Sequence, residues 1–343
     1  MESYILDFLS TRPVYGSNDA SLNKWKADCL KDWNSILENF LNMTRKKEPW
    51  TNTQRVASVQ SLLTRPQVTQ RTDAWYAESQ NLITASQFSL ILKDNLTRGK
   101  LVLEKASGKV DTSPRRNVVL TMDLNPFTWG IRFEHVVSQI YCHLTKTELK
   151  DMGRLKHQTD PRLAASPDGM VVNGPEERYG RFVEFKAPVT RKLTQEIPKD
   201  YVIQMQIQME VGDVEECDYL EVRFNSAYES KTPAMPTISK YYGEIYVIGK
   251  DEFPIRYMYS PLNTLGQTPT LDADETILET VQWTTSEYYL TTVERSKSWF
   301  ESVKPKIDSF WKDVESAKAG TFVLPETSRK RKDTMCMIVD ESK

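Results

Sequence analysis

The sequence predicts an α/β fold: a mixed central sheet flanked by helices and preceded by a helical N-terminal extension. Three observations carry this. Apolar residues recur at spacings of three and four in long blocks at both ends of the 343-residue chain and between strand-like runs. Short apolar runs in its middle are separated by turn residues, such as Asn173-Gly174-Pro175 and Arg178-Tyr179-Gly180, and read as strands. One such run, residues 182–186, holds two charges among hydrophobes, and a strand that does so needs a reason.

The elements follow in order. Residues 1–64 read as helical, with Trp25, Cys29, Leu30, Trp33, Ile36, Leu37, Phe40 and Leu41 forming one apolar stripe that ends before Pro66. A short helix is expected over Ala74 to Glu78. Another starts at Thr84 or Ser86, both good N-caps, and runs through Phe88, Leu90, Ile91 and Leu92. Residues 97–117 are mostly polar, basic and rich in loop formers, which predicts an exposed mobile segment. Gly130 to Leu144 form a helix with Phe133, Val136, Val137, Ile140 and Tyr141 on one face. Strands are expected at 163–165, 168–172 and 181–186, then at 218–224, 243–248 and 255–259. Between these groups, Gln204, Gln206 and Gln208 alternate with Met205, Ile207 and Met209, so residues 199–212 fit a helix or a strand. A long amphipathic helix is expected over 286–317, with Trp299, Phe300, Ile307, Phe310, Trp311 and Val314 inward and Pro305 as a kink. The domain reading is an N-terminal helical extension (1–70), a core (71–260), a helical C-terminal elaboration (261–324) and a disordered basic tail (325–343).

Composition narrows the function classes. Hydrophobic residues at 39% allow a sizeable core. Apolar runs are only a few residues long, so no membrane span or secretory leader is expected. Four scattered cysteines and three histidines form no zinc spacing, which points to free thiols in a reducing compartment. A net charge of −2 gives no global case for nucleic-acid binding, so any such contact must be a local basic patch.

The chemistry concentrates between Ser166 and Pro188. Asp168 precedes the Glu184-Phe185-Lys186 triplet by sixteen residues, on what read as the two arms of a hairpin. Residues i and i+2 of a strand face the same way, so Glu184 and Lys186 project together while Phe185 enters the core. Two carboxylates and a backbone carbonyl are hard oxygen donors of the kind Mg²⁺ or Mn²⁺ takes. A lysine beside them can orient water and neutralise developing charge. Standing alone, an E-x-K triplet is more often a same-face ion pair on an exposed strand, and S-P-D-G an ordinary turn.

Five blocks in order change that weighting: W-x7-I-T-A-S from Trp75 to Ser86, W-G-x3-E from Trp129 to Glu134, A-S-P-D-G-M from Ala165 to Met170, V-E-F-K-A-P from Val183 to Pro188, and Y-x2-Q-x-Q-x-Q-M from Tyr201 to Met209. Over roughly residues 73–225 the chain resembles the YqaJ-type, or lambda-type, alkaline exonucleases of the PD-(D/E)xK nuclease superfamily. The resemblance implies a restriction-endonuclease-like core and makes 199–212 a helix with Gln204 and Gln208 on one face. It assigns Asp168, Glu184, the Phe185 carbonyl and Glu134 to one or two Mg²⁺ or Mn²⁺ ions. It makes Lys186 the catalytic lysine, Gln204 an orienting group, and Ser86 a contact of the 5′-terminal phosphate. The family's arginine four residues after the tryptophan is Ser79 here, so dependence on a 5′-phosphate is open. Arg71 or the 98–116 loop could substitute. Arg115, Arg116, Arg191 and Lys192 are expected on DNA phosphates.

What the resemblance implies for function is 5′ to 3′ digestion of double-stranded DNA in recombination, repair or replication processing. The long extensions and basic tail look most like members from large nucleocytoplasmic DNA viruses. A homo-oligomer and a single-strand-annealing partner protein are family-type partners. The expected site of action is the host cytoplasm, or the nucleus if Arg329 to Lys332 acts as an import signal. The alternatives are an endonuclease or RNA nuclease on the same fold, and a non-catalytic nucleic-acid- or partner-binding module.

Overall fold

The computed structural model describes residues 50–70, 72–93, 96–108, 126–225, 240–251 and 253–325. The described residues from Thr51 onward form one compact unit. The stripe from Trp25 to Leu41, Arg71, Arg115, Arg116 and the run Arg329 to Lys332 lie outside the described residues.

Helix α1 (Asn52–Thr64) opens on a capping box in which Thr51 and Gln54 satisfy each other's backbone N–H groups. Its buried Arg55 pairs with Glu216 at 2.5 Å. Helix α2 (Asp73–Glu78) leads through a short turn into β1 (Ile83–Thr84), and Thr84 is the N-cap residue of α3 (Ala85–Ile91). Next comes α4 (Leu96–Ala106), where the sequence suggested an exposed mobile loop. Leu101 and Val102 are buried there, two positions that the surrounding polar residues masked.

The central unit is α5 (Pro126–Thr145), β2 (Glu148–Lys150), β3 (Leu155–Lys156), β4 (Leu163–Ala165), β5 (Gly169–Asn173), β6 (Phe182–Lys186), α6 (Lys199–Gly212) and β7 (Glu216–Asn225). Proline at the first position of α5 loses no hydrogen bond, because that N–H has no helical partner anyway. β5 and β6 pair antiparallel, with Gly169 opposite Val183. β6 and β7 run parallel, with Glu184 opposite Tyr219, and α6 is the crossover between them. Residues 199–212 are therefore helical, as the resemblance implied. A Cβ at Gly212 would lie 2.3 Å from the Phe182 ring, so glycine lets the end of α6 rest on β6.

β8 (Tyr242–Lys250), β9 (Phe253–Tyr259) and β10 (Thr276–Glu294) complete a seven-stranded mixed sheet among the described residues, ordered β2-β5-β6-β7-β10-β8-β9. β10 pairs with β8 through its first half and with β7 through its second. This corrects the reading of 261–324 as a helical elaboration. Thr276–Glu294 is a sheet strand, and helix α7 spans Lys297–Lys318 rather than starting at 286. The β-branched and aromatic run T-T-S-E-Y-Y-L-T-T-V favours a pleated surface, and Ser296, whose hydroxyl accepts from Trp299 N–H, sets the true helix start.

One face of α5 (Trp129, Phe133, Val136, Val137, Ile140 and Tyr141) packs into a cluster with Val171, Val183, Phe185, Leu220, Val222, Ile245, Val281 and Trp283. This helix contacts β6, β7 and the edge strand β9 and shares its cluster with residues of β5, β8 and β10, so the sheet curls around it. Trp129 and Phe133 stack at 4.2 Å in this core. Truncating a buried phenylalanine here costs about 3–5 kcal/mol.

Candidate active site

The hairpin brings the predicted carboxylates together. Asp168 sits one residue before β5 and its N–H donates to the Val183 carbonyl at 3.2 Å. Its Oδ2 accepts the Phe185 N–H at 2.6 Å. Phe185 turns its ring into the core, as expected, 5.6 Å from Tyr141. Glu184 and Lys186 project to the other face, and Glu184 is fully buried. Its Oε1 takes a short ion pair from Lys186 Nζ and a hydrogen bond from Gln204 Nε2 at 2.8 Å. Its Oε2 takes a bond from Gln208 Nε2 at 2.6 Å.

Gln208 was named in the sequence only as a face-mate of Gln204, yet it is the more buried of the two and holds the second oxygen. Gln206 points elsewhere, donating to the Glu294 carbonyl at 2.7 Å and accepting Ser296 N–H at 2.7 Å. The glutamine alternation thus splits between the site and the β10–α7 junction.

Glu134, on α5, is half-buried and lines with Asp168 and Phe185 both of the cavities that meet there. The first, about 640 Å³, also takes in Lys186, Arg191 and Tyr201. Electrostatics in this corner are unbalanced. Burial, then the Glu184 carboxylate, then Glu134 push the Asp168 carboxyl well above the usual carboxylate range. Burial pulls Lys186 down, but the Glu184 and Asp168 carboxylates outweigh it and hold its proton more tightly than usual. Lys186 also lies 4.8 Å over the Tyr201 ring.

Asp168 has two further carboxylates beside it, Glu184 and Glu134, against one lysine, and that excess negative charge suits a divalent cation. Among the described residues no three acids, histidines or cysteines form a ready-made metal cluster. Mg²⁺ does not need one, because it keeps several waters and binds through one or two carboxylates. Asp168 and Glu134, which line both cavities, fit that donor set.

The expected phosphate contacts divide. Arg191 lines the cleft, where it pairs with the fully buried Glu221 and lies 6.0 Å from the Tyr201 ring. Lys192 is exposed. Ser86 is exposed on the first turn of α3, 3.1 Å from the Thr84 hydroxyl, and lines neither cavity that reaches Asp168. Ser79, where the family arginine is absent, has a cation beside it from α4. Lys105 Nζ donates to the Ser79 carbonyl at 2.5 Å. Lys105 is 4% exposed, and burial pushes its amine down to about 8. No sequence signal marked it, because it lies in the stretch read as a loop.

Residues 74–215 match the YqaJ-like viral recombinase domain, the family that the order of the motif blocks implied. An uncharacterized protein of Acanthamoeba polyphaga mimivirus is 22% identical over 296 residues, covering 72% of this chain. The match spans 52% of that protein's length, about half. Among solved structures, an alkaline exonuclease from Laribacter hongkongensis is 17% identical with a TM-score of 0.45, over 73% of this chain and 95% of that one. A phage-related exonuclease from Haemophilus somnus is 13% identical with a TM-score of 0.40, over 70% of this chain and 96% of that one.

Proposed function

We propose that the protein is a Mg²⁺- or Mn²⁺-dependent exonuclease that hydrolyses double-stranded DNA from 5′ to 3′ in viral DNA recombination, repair or replication processing. The observation that carries this reading is the meeting of Glu134, Asp168 and Lys186 at one open cleft, with the buried Glu184 carboxylate paired to Lys186 behind it, in a domain whose family is named for viral recombination. A structural ion pair needs none of this openness and no third carboxylate.

The residues have separable tasks. Asp168 and Glu134 would hold one or two divalent ions, which supply charge neutralisation at the phosphate and acidify a bound water. Gln204 and Gln208 fix the Glu184 carboxylate, and Glu184 fixes Lys186. Lys186 keeps its proton, so it orients the attacking water and balances charge at the phosphate rather than accepting a proton. Arg191 stands on the same wall to meet a phosphate oxygen. Double-stranded DNA is the substrate; a homo-oligomer and a single-strand-annealing partner are further members of the proposal. Action at a viral replication site in the host cytoplasm completes it.

The test is nucleotide release from end-labelled linear duplex, with and without Mg²⁺ and with and without a 5′-phosphate, beside a covalently closed circle. Release from linear DNA alone, lost on chelation and reduced about 10³-fold or more in Lys186→Ala, is expected. Cutting of the closed circle would favour the endonuclease reading. A folded Lys186→Ala or Asp168→Ala that keeps wild-type activity would remove the assigned site.

A further inference from the structure

The second cavity at Asp168 has no role in the reading above. It measures about 710 Å³ and shares Ile131, Glu134, Asp168 and Phe185 with the first. Its far wall is β9, an edge strand distant from β5 and β6 in the sheet order. The curl of the sheet returns β9 to α5. Tyr259 Oη donates to the Arg132 carbonyl at 3.1 Å, and the Arg132 guanidinium lies 5.3 Å over the Tyr257 ring.

Besides Phe185, three aromatic rings line this cavity: His135 of α5, and Tyr257 and Tyr259 of β9. The His135 and Tyr259 rings are 4.5 Å apart. One cation joins them. Arg256 opposes Ile248 while Pro254 opposes Gly249, so Ile255 is an extra residue in the strand. A bulge re-aims side chains, and both Ile255 and Arg256 line the cavity. Glu275 holds Arg256 through Nε at 2.9 Å and Nη2 at 2.5 Å, which fixes the guanidinium plane and leaves Nη1 as a donor. Glu134, Asp151 and Asp168 on the same walls repel a free anion. A flat ring carrying a single flanking phosphate is the chemistry that these rings and this arginine admit.

We propose that this lobe binds one nucleotide unit of the strand being cut, with its base against Tyr257, Tyr259 and His135 and its phosphate on Arg256. The proposal rests on the nuclease reading: a phosphodiester held at Asp168 and Glu134 has a neighbouring nucleotide on each side, and this lobe takes one of them. Bases stack on aromatic side chains without regard to sequence, so the lobe serves an enzyme that digests any DNA.

The experiment is equilibrium binding, with Ca²⁺ in place of Mg²⁺, of linear duplexes carrying one abasic nucleotide at successive positions from the 5′ end. Wild type should lose about 10-fold in affinity at one position, the worth of one stacked base. Tyr257→Leu and the exposed-site variant His135→Ala should lose a similar factor on intact duplex and no longer distinguish that abasic duplex from it. Arg256→Gln should make the salt dependence of binding shallower by about one phosphate contact. Variants that weaken intact and abasic duplexes equally, or a wild type indifferent to every abasic position, would overturn the base site. An unchanged salt slope in Arg256→Gln would overturn its phosphate half. Failure of the nuclease reading shows separately, as a wild type that releases no nucleotide with Mg²⁺ even where the binding discrimination is present.

Discussion

Glu184 and Asp218 are both fully buried carboxylates on neighbouring parallel strands, one register position apart and on opposite faces of the sheet. Their surroundings differ. Asp218 accepts from Tyr141 Oη at 2.6 Å, Thr292 Oγ1 at 2.7 Å, Arg181 Nη1 at 3.0 Å and also from Arg178. Two guanidinium groups over-neutralise it. With Glu216 and Arg55 they tie the hairpin turn to β7, β10 and α1. Glu184 has one lysine and two neutral amides, and Asp168 and Glu134 add negative charge beside it. A buried acid whose charge is fully met closes a structure. One that holds a lysine beside two further carboxylates instead leaves negative charge in excess next to the cavity that Asp168 and Glu134 line.

The comparison breaks most sharply by truncation. Glu184→Ala should cut the rate of nucleotide release about 10³-fold or more, roughly 4 kcal/mol in barrier, with the fold kept. Asp218→Ala should leave the half-buried Arg178 without its carboxylate partner, reduce buried Arg181 to Glu216 and Thr292, and cost about 3–5 kcal/mol of stability. Its folded fraction should retain activity within a few-fold. Thermal unfolding and active-site-normalised rates on both variants decide it. An Asp218 variant that stays stable but is catalytically dead would erase the distinction.

A finer form of the same comparison lies within one helix. Gln208→Leu removes a bond that orients Glu184 and should cost about 10–100-fold in rate. Gln206→Leu removes bonds to the Glu294 carbonyl and Ser296 N–H and should cost about 1–2 kcal/mol of stability without changing the rate. Steady-state kinetics beside denaturant titration separates them, and equal kinetic effects would show that the helix acts as one unit.

These residues also mark what could be read from the sequence. The hairpin with Asp168, Glu184 and Lys186 was legible because alternation, turn chemistry and charge amid hydrophobes all coincide within a few residues. The helical state of 199–212 was not, since a helix buried on both faces carries no clean period; motif order decided it. The four partners of Asp218 come from α5, β10 and the hairpin turn, and no local pattern records such a convergence. β10 was divided between a helix and a loop because its second half, Glu287 to Glu294, mixes charge and aromatics in a way that suits either state. The closing of β9 onto α5 follows from sheet curl, which depends on every strand at once. Lys105 was hidden for a simpler reason: a lysine in a basic stretch looks solvated until the helix that buries it is seen.

Lys105 gives the smallest expected effect and the one with a pH signature. Its amine falls from an ordinary 10.5 to about 8 because burial disfavours the charged form, with Glu104 opposing and Arg154 adding to the shift. Below about 8 both folded and unfolded chains carry the proton, and the folded state bears the full penalty of a buried charge. Between about 8 and 10.5 the unfolded chain binds more protons, so stability rises with pH across that window. Lys105→Met should therefore stabilise the protein by roughly 1–2 kcal/mol at pH 7, after loss of the bond to the Ser79 carbonyl is subtracted. The gain should shrink as pH rises past 8 and be gone near 10.5. A natural chain that retains such a cost beside Ser79 retains it for something else. If that is a DNA end, Lys105→Met will also lose preference for 5′-phosphorylated over 5′-hydroxyl duplex. A variant that is more stable and keeps the preference intact would assign the lysine to packing alone.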